Sequence, residues 1–179
     1  MFLYVTVDPA DDYEVVYAGQ LADEPLELKK LCDEIERELR LNVAKRLIDP
    51  NMGRSPASSR RGITWQDEFA NAGLYCDLAD DSDVGRERIN EYLKPDRFTR
   101  KPRLAFHEEH CPAAIYQMKR FAWDDFKYSD NKDEKQKPKP KYDDYPACLR
   151  YLFNDLPLYS VLKHGGNVIT PPGRMVNGY

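Results

Sequence analysis

Strand-like runs alternate with helix-like runs along this chain, and that alternation restricts the fold more than any other feature. "FLYVTVD" opens with β-branched and aromatic residues, "PADD" turns it and "YEVVYAGQL" returns, so a hairpin is expected. "DEPLELKKLCDEIERELR" reads as a helix, capped by Asp23, with Pro25 in its first turn and an apolar stripe through Leu26, Leu28, Leu31, Ile35 and Leu39. "VAKRLIDP" reads as a strand that stops at Pro50, and "NMGRSPASSRRG" as a polar, basic loop. "TWQDEFANAG" reads as a short helix capped by Thr64 and ended by Gly73, followed by a strand in "LYCDLA". A helix in "DSDVGRERINEYL", a strand in "PRLAFHEE" and a helix in "CPAAIYQMKRFAWDDF" come next. A last helix starts near Tyr145. This order specifies an α/β fold with a mixed sheet, antiparallel at the hairpin and parallel afterwards.

The 179 residues are enough for one domain with a real core. Lys and Arg number 27 against 31 Asp and Glu, so no global basic field marks a nucleic-acid binder. A local basic rim around an acidic centre is compatible with that balance. The four cysteines, Cys32, Cys76, Cys111 and Cys148, lie far apart with no CxxC pair and read as reduced thiols. The first residues lack the basic region of a signal peptide, and no run approaches the roughly 20 apolar residues of a membrane span. The expectation is a soluble, cytoplasmic domain over residues 1–160, with an irregular tail over 161–179. "KYSDNKDEKQKPKPK" is charged and proline-bearing and reads as a mobile loop over about residues 127–141.

In parallel sheets, sites gather beyond the carboxyl ends of strands, and Asp49 in "RLIDPNMG" has that place. It reads equally as a plain Asp-Pro turn. "KYDDYPACLRYLF" sets two adjacent carboxylates, Asp143 and Asp144, at the mouth of the last helix. Helix capping accounts for them. So does a metal site, because Mg²⁺ takes carboxylate oxygens and keeps most of its water. Arg54, Arg60 and Arg61 follow Asp49, and Lys135, Lys137, Lys139 and Lys141 precede the acidic pair. Both sets suit phosphate contacts and both suit a solvated loop. "HEEHC" brings His107, His110 and Cys111 together, but Pro112 points to a helix start rather than zinc. Trp65 and Trp123 read as core. The chain has no GxxxxGK[ST] phosphate loop and no GxSxG elbow.

Taken together, "LIDPNMGRSPASSRRGITWQDEFANAGLYCDLADDSDVGRERINEYLKP", "PRLAFHEEHCPAAIYQMKRFAWDDF" and "KYDDYPACLRYL" resemble the nuclease domain of tailed-phage terminase large subunits over roughly residues 2–160. The resemblance implies an RNase H-like nuclease that cleaves double-stranded DNA during packaging, with two Mg²⁺ or Mn²⁺ ions. It implies Asp49 as one metal ligand and the Asp143/Asp144 pair as another, Asp144 being the metal ligand of the two if the pair splits. Many relatives carry His where Asp144 stands and Asp where Ala147 stands, so this chain departs from them. Arg54, Arg60, Arg61, Lys137, Lys139 and Lys141 would hold the DNA backbone. The implied partners are DNA, the ATPase domain of the same terminase, the portal and the small terminase subunit.

The family's first acidic ligand sits on a central strand that precedes a complete hairpin. Only two strands precede "PLELKKL", so that strand is expected upstream of Met1. The alternative makes Asp8 the ligand. A non-catalytic DNA-binding or assembly remnant, and another RNase H-like nuclease such as a junction resolvase, are the rival readings.

Overall fold

The computed structural model describes residues 1–57, 62–121 and 142–160. Strands β1 (Phe2–Val7) and β2 (Tyr13–Gly19) form the expected antiparallel hairpin, with a register shift between Tyr4 and Val5. Helix α1 (Pro25–Glu38) follows, then β3 (Leu47–Ile48), α2 (Pro50–Arg54), α3 (Trp65–Asn71) and β4 (Asp77–Leu78). Helix α4 (Val84–Leu93), β5 (Leu104–Phe106), α5 (Pro112–Arg120) and α6 (Asp144–Asp155) complete the described elements. The protein is therefore mixed α/β.

The strands do not make one sheet. β5 adds in parallel to the outer side of β2, giving the order β1-β2-β5, while β3 and β4 pair in parallel as a separate ribbon. The expected mixed sheet, antiparallel at the hairpin and parallel afterwards, is present in β1-β2-β5, and among the described residues the β3–β4 ribbon is not paired with it.

Each sheet has its own core. The first cluster gathers Tyr13, Val15, Leu104, Ala114, Tyr145, Leu149 and Phe153 between the three-stranded sheet and helices α4, α5 and α6. The second gathers Leu28, Cys32, Ile48, Phe69 and Leu74 under α1, β3 and α3. Strand alternation lets β1 serve both: Leu3, Val5 and Val7 pack against the first cluster, Phe2 and Tyr4 against the second.

Several local readings need correction. Leu26 is exposed, and the buried face of α1 is Leu28, Cys32 and Ile35, an i, i+4, i+7 stripe. Glu24 rather than Asp23 takes the N-cap position of α1, without a side-chain bond. Residues 50–54 are helical, not loop, because Asp49 caps them and Pro50 supplies a ready-made first-turn φ. Trp65 is half-buried and packs against the second cluster. Thr64 does cap α3, in a full capping box with Asp67, and Gly73 follows that helix at φ +88°.

The last helix starts at Asp144. Trp123, the 127–141 loop and the 161–179 tail lie outside the described residues. No described helix is long and apolar enough to cross a membrane.

Candidate functional site

Asp49 follows β3 directly, at its carboxyl end. Its Oδ1 accepts from the Met52 N–H at 2.7 Å, the bond that caps α2. Its Oδ2 accepts from the hydroxyl of Tyr151, two turns into α6. Both oxygens of this half-buried carboxylate are therefore engaged, one by backbone and one by a phenol. The phenol is the residue that sequence reasoning missed, since a tyrosine inside a helix announces no chemistry by its spacing.

Asp143 takes the N-cap position of α6, but its side chain caps nothing. Asp144 lies exposed in the first turn, where its charge suits the helix dipole. Its Oδ2 accepts from Gln117 Nε2 at 3.0 Å, and Gln117 Oε1 in turn accepts from the Tyr145 N–H at 3.0 Å. One glutamine of α5 thus fixes the start of α6.

Asp49, Asp144, Ala147, Cys148 and Tyr151 line a single cleft of about 630 Å³ that runs along β1 on one side and residues 41–49 on the other. Cys148 lies between the two carboxylates. Burial pushes its thiol up to about 11, the charge of the Met1 amino group acts the other way, and the carboxylates of Asp144 and Asp49 add to the rise. That thiol is a poor nucleophile at neutral pH.

Burial, and then the bond to Asp49, push the Tyr151 phenol up to about 12. The folded protein therefore holds the phenol proton more tightly than the unfolded chain does. The associated stability is fully present below about pH 10, the ordinary tyrosine value, and is lost as the pH rises through about 12. A spectrophotometric titration of phenolate checks this: Tyr151→Phe should delete a phenol titrating near 12, and Asp49→Asn should bring that phenol back toward 10. Loss of an ordinary phenol near 10 in Tyr151→Phe would contradict the assignment.

The remaining sequence candidates divide cleanly. Arg54 is exposed in the last turn of α2. Arg60, Arg61, Lys135, Lys137, Lys139 and Lys141 lie outside the described residues. Asp8 caps the hairpin turn, its Oδ1 accepting from the N–H groups of Ala10 and Asp12 at 2.8 and 3.0 Å. That turn is held near the far end of α6: the Tyr159 N–H donates to Asp11 Oδ1 at 3.1 Å, and Tyr13 donates to the Pro157 carbonyl at 2.9 Å. Asp49 is bonded to Tyr151, and Cys148 one turn earlier reaches the Met1 carbonyl at 3.7 Å. Asp8 and Asp49 therefore sit at opposite ends of β1.

The "HEEHC" segment packs on itself and on β2. The His107 and His110 rings stack at 4.5 Å, and Cys111 Sγ donates to the Val15 carbonyl at 3.1 Å from a fully buried position. No two of the four cysteines are bonded to each other.

Among the described residues, no group of three or more His, Cys, Asp or Glu side chains is placed to hold a metal ion. Asp49 and Asp144 share the cleft wall, but they are two carboxylates, and each oxygen of Asp49 already accepts one hydrogen bond. As they stand they do not make the donor set of a metal pair. Comparison with protein families, with curated proteins and with solved structures finds no match to this chain.

Proposed function

We propose that this chain is the greater part of a terminase-type nuclease domain, acting on the phosphodiester backbone of double-stranded DNA, whose catalytic centre needs a further carboxylate from outside the described residues. The observation that supports the reading is the placement of Asp49 and Asp144. One follows a parallel strand, the other opens a helix, and both line the same cleft. Two divalent cations of the Mg²⁺ or Mn²⁺ kind would supply charge stabilisation and an activated water at such a centre. What the chain's own residues do is more limited. Tyr151 holds the Asp49 carboxylate in place, Gln117 holds Asp144, and Arg54 stands exposed at the end of α2 where it can meet a phosphate. RNase H-like topology, the packaging role and the partners named for the family belong to this proposal.

A second reading has its own support. Asp49 spends both oxygens on a helix cap and a phenol, which is what a structural aspartate does. The chain would then be a non-catalytic remnant that binds or assembles. Supercoiled plasmid with Mn²⁺ separates the two. The 179-residue chain is compared with one extended by about 30 residues of upstream coding sequence, enough for a strand and its turns. The nuclease reading expects cleavage by the extended chain at least about 100-fold faster than by the short one, equivalent to about 2.7 kcal/mol of barrier. Asp49→Ala in the extended chain should abolish it. Equal cleavage with and without Asp49 would remove the reading. If the short chain cuts as fast as the long one and Asp8→Ala stops it, Asp8 is the missing acid. Preference for a four-way junction over linear duplex would mark a resolvase.

A further inference from the structure

The turn between α4 and β5 carries a surface that the cleft does not use. "KPDRFTRKPR", residues 94–103, holds five Lys and Arg against one Asp, in a chain where acids outnumber bases 31 to 27. Phe98 stands near its middle and is 93% exposed, more than any other large apolar side chain among the described residues. Lys94, Arg97, Arg100 and Lys101 are exposed around it. Lys94 pairs with Glu91 at 2.9 Å and Arg103 with Asp12 at 2.8 Å. Among the described residues, no ion pair involves Arg97, Arg100 or Lys101.

The turn is held from within. Asp96 Oδ1 accepts from the N–H groups of Phe98 and Thr99, each at 2.8 Å. The Arg100 N–H donates to the Asp96 carbonyl at 3.0 Å, and the Asp96 N–H to the Lys101 carbonyl at 2.9 Å. At the base, the Arg103 N–H donates to the Tyr92 carbonyl at 2.8 Å, and the Arg103 guanidinium lies 4.6 Å from the Tyr92 ring centroid. The one acid of the turn is its internal tie, so the ring and three cations are left facing outward. A turn already folded in this way loses little further entropy when a ligand arrives.

We propose that this turn binds an unpaired stretch of nucleic acid, with Phe98 stacked on a base and Arg97, Arg100 and Lys101 on the flanking phosphates. A base offers its face only where it has lost a stacking neighbour, whereas an intact duplex offers base edges. The planar guanidinium fork matches a phosphate. An anionic membrane has the same charge but fits worse. It is flat, so it brings the acidic remainder of the chain within a Debye length of about 8 Å. Binding there also scales with buried apolar area, of which one ring offers little. A strand is narrow and touches the turn alone. An acidic peptide supplies charge but no obligatory flat face for the ring. Arg103 ties the turn to the β1–β2 connection through Asp12, while Asp49 lies at the other end of β1, a six-residue strand about 20 Å long. The contact is therefore separate from the cleft. It does not rest on the nuclease reading, because a chain that cleaves nothing would keep it.

Fluorescence anisotropy in EDTA reads binding without cleavage. The full chain is titrated into labelled DNA single strand of about 20 nucleotides, RNA of the same sequence, intact duplex and gapped duplex. The single strand and the gapped duplex should bind at least about 10-fold tighter than the intact duplex. Phe98→Ala should remove that preference, about 10-fold being an ordinary loss for one stacked base, and Phe98→Tyr should keep it. Changing Arg97, Arg100 and Lys101 together to Gln should weaken binding and lower the slope of log K against log salt by about 2, at about 0.7 per phosphate. The same triple change at Lys30, Arg37 and Arg40, exposed on α1 and just after it, is the control and should do neither. All these side chains are exposed, and equal urea midpoints verify that the variants fold. Binding of the DNA or the RNA strand supports the proposal alike and tells which sugar the turn admits. The proposal is overturned if unpaired strands gain no preference, if the preference survives Phe98→Ala, or if the control triple is as damaging. It is equally overturned if polyglutamate displaces the strand as well as unlabelled strand does, which would mark an acidic protein partner. Tighter, Phe98-dependent binding to phosphatidylserine vesicles would overturn it in favour of a lipid surface.

Discussion

Replacing Phe153 with alanine is expected to cost about 3–5 kcal/mol and to lower the melting temperature by about 10 °C. The ring is fully buried at the centre of the larger cluster, with its centroid 5.1 Å from that of Tyr13 and 5.0 Å from that of Tyr92. Truncation removes its transfer energy and two aromatic contacts at once. The cavity cannot collapse easily, because its walls come from three different elements, β2, α4 and α6. The backbone around Phe153 is also fixed, since its carbonyl accepts from Arg88 at 2.8 Å. Folded proteins keep about 5–15 kcal/mol of stability in all, so this single change consumes much of it. Urea denaturation is the measurement, and a loss below about 1 kcal/mol would mean that the site repacks.

Gly85→Leu is expected to cost about 3 kcal/mol, against the ordinary preference of helices for leucine over glycine. Gly85 sits in the first turn of α4, where that helix crosses α6. A Cβ there would run into the Arg150 backbone oxygen and come within 2.8 Å of Asn154 Oδ1. Neither neighbour yields cheaply. The Arg150 oxygen belongs to the helix backbone, and the Asn154 amide already donates to the Asp80 and Ser82 carbonyls at 2.7 and 2.9 Å. The helices must separate, and α6 carries Tyr151. A second readout follows: the Tyr151 phenol should titrate closer to 10 in this variant as its bond to Asp49 is pulled. Val84→Leu, one residue earlier and exposed, is the control and should change stability by less than about 0.5 kcal/mol. Equal effects at the two positions would show that the crossing is looser than it looks.

The parts of this fold that were legible in the sequence are those fixed by local chemistry. The hairpin was announced by its β-branched runs around "PADD", and α3 by Thr64 and Gly73 at its two ends. The short helix α2 was hidden because Asp-Pro carries two meanings. It stops a strand, and it also places a capping carboxylate before a proline suited to the first helical position. The buried stripe of α1 runs through Cys32, which a count of aliphatic residues passes over, though thiols are among the most buried side chains. The broken sheet was not legible at all. Pairing between strands is a matter of distant segments, and Leu47–Ile48 is too short to reveal from its own residues which strand it pairs with. At the site, Asp49, Asp143 and Asp144 were visible as carboxylates at element boundaries. The partnership with Tyr151 spans about a hundred residues of sequence and leaves no mark in either segment.

The two clusters joined through β1 also bear on how this protein comes apart. Cooperative melting needs each region to lose its support when another goes, and here the support passes through one six-residue strand whose odd and even side chains belong to different halves. The half built on α1, α3 and the β3–β4 ribbon has five buried residues at its centre and is the weaker partner. It is expected to open before the three-stranded sheet and α4, α5 and α6, and native-state hydrogen exchange should then show two levels of amide protection rather than one. The carboxylate at the end of β3 rides on the half that opens first, and the tyrosine that holds it rides on the half that opens last.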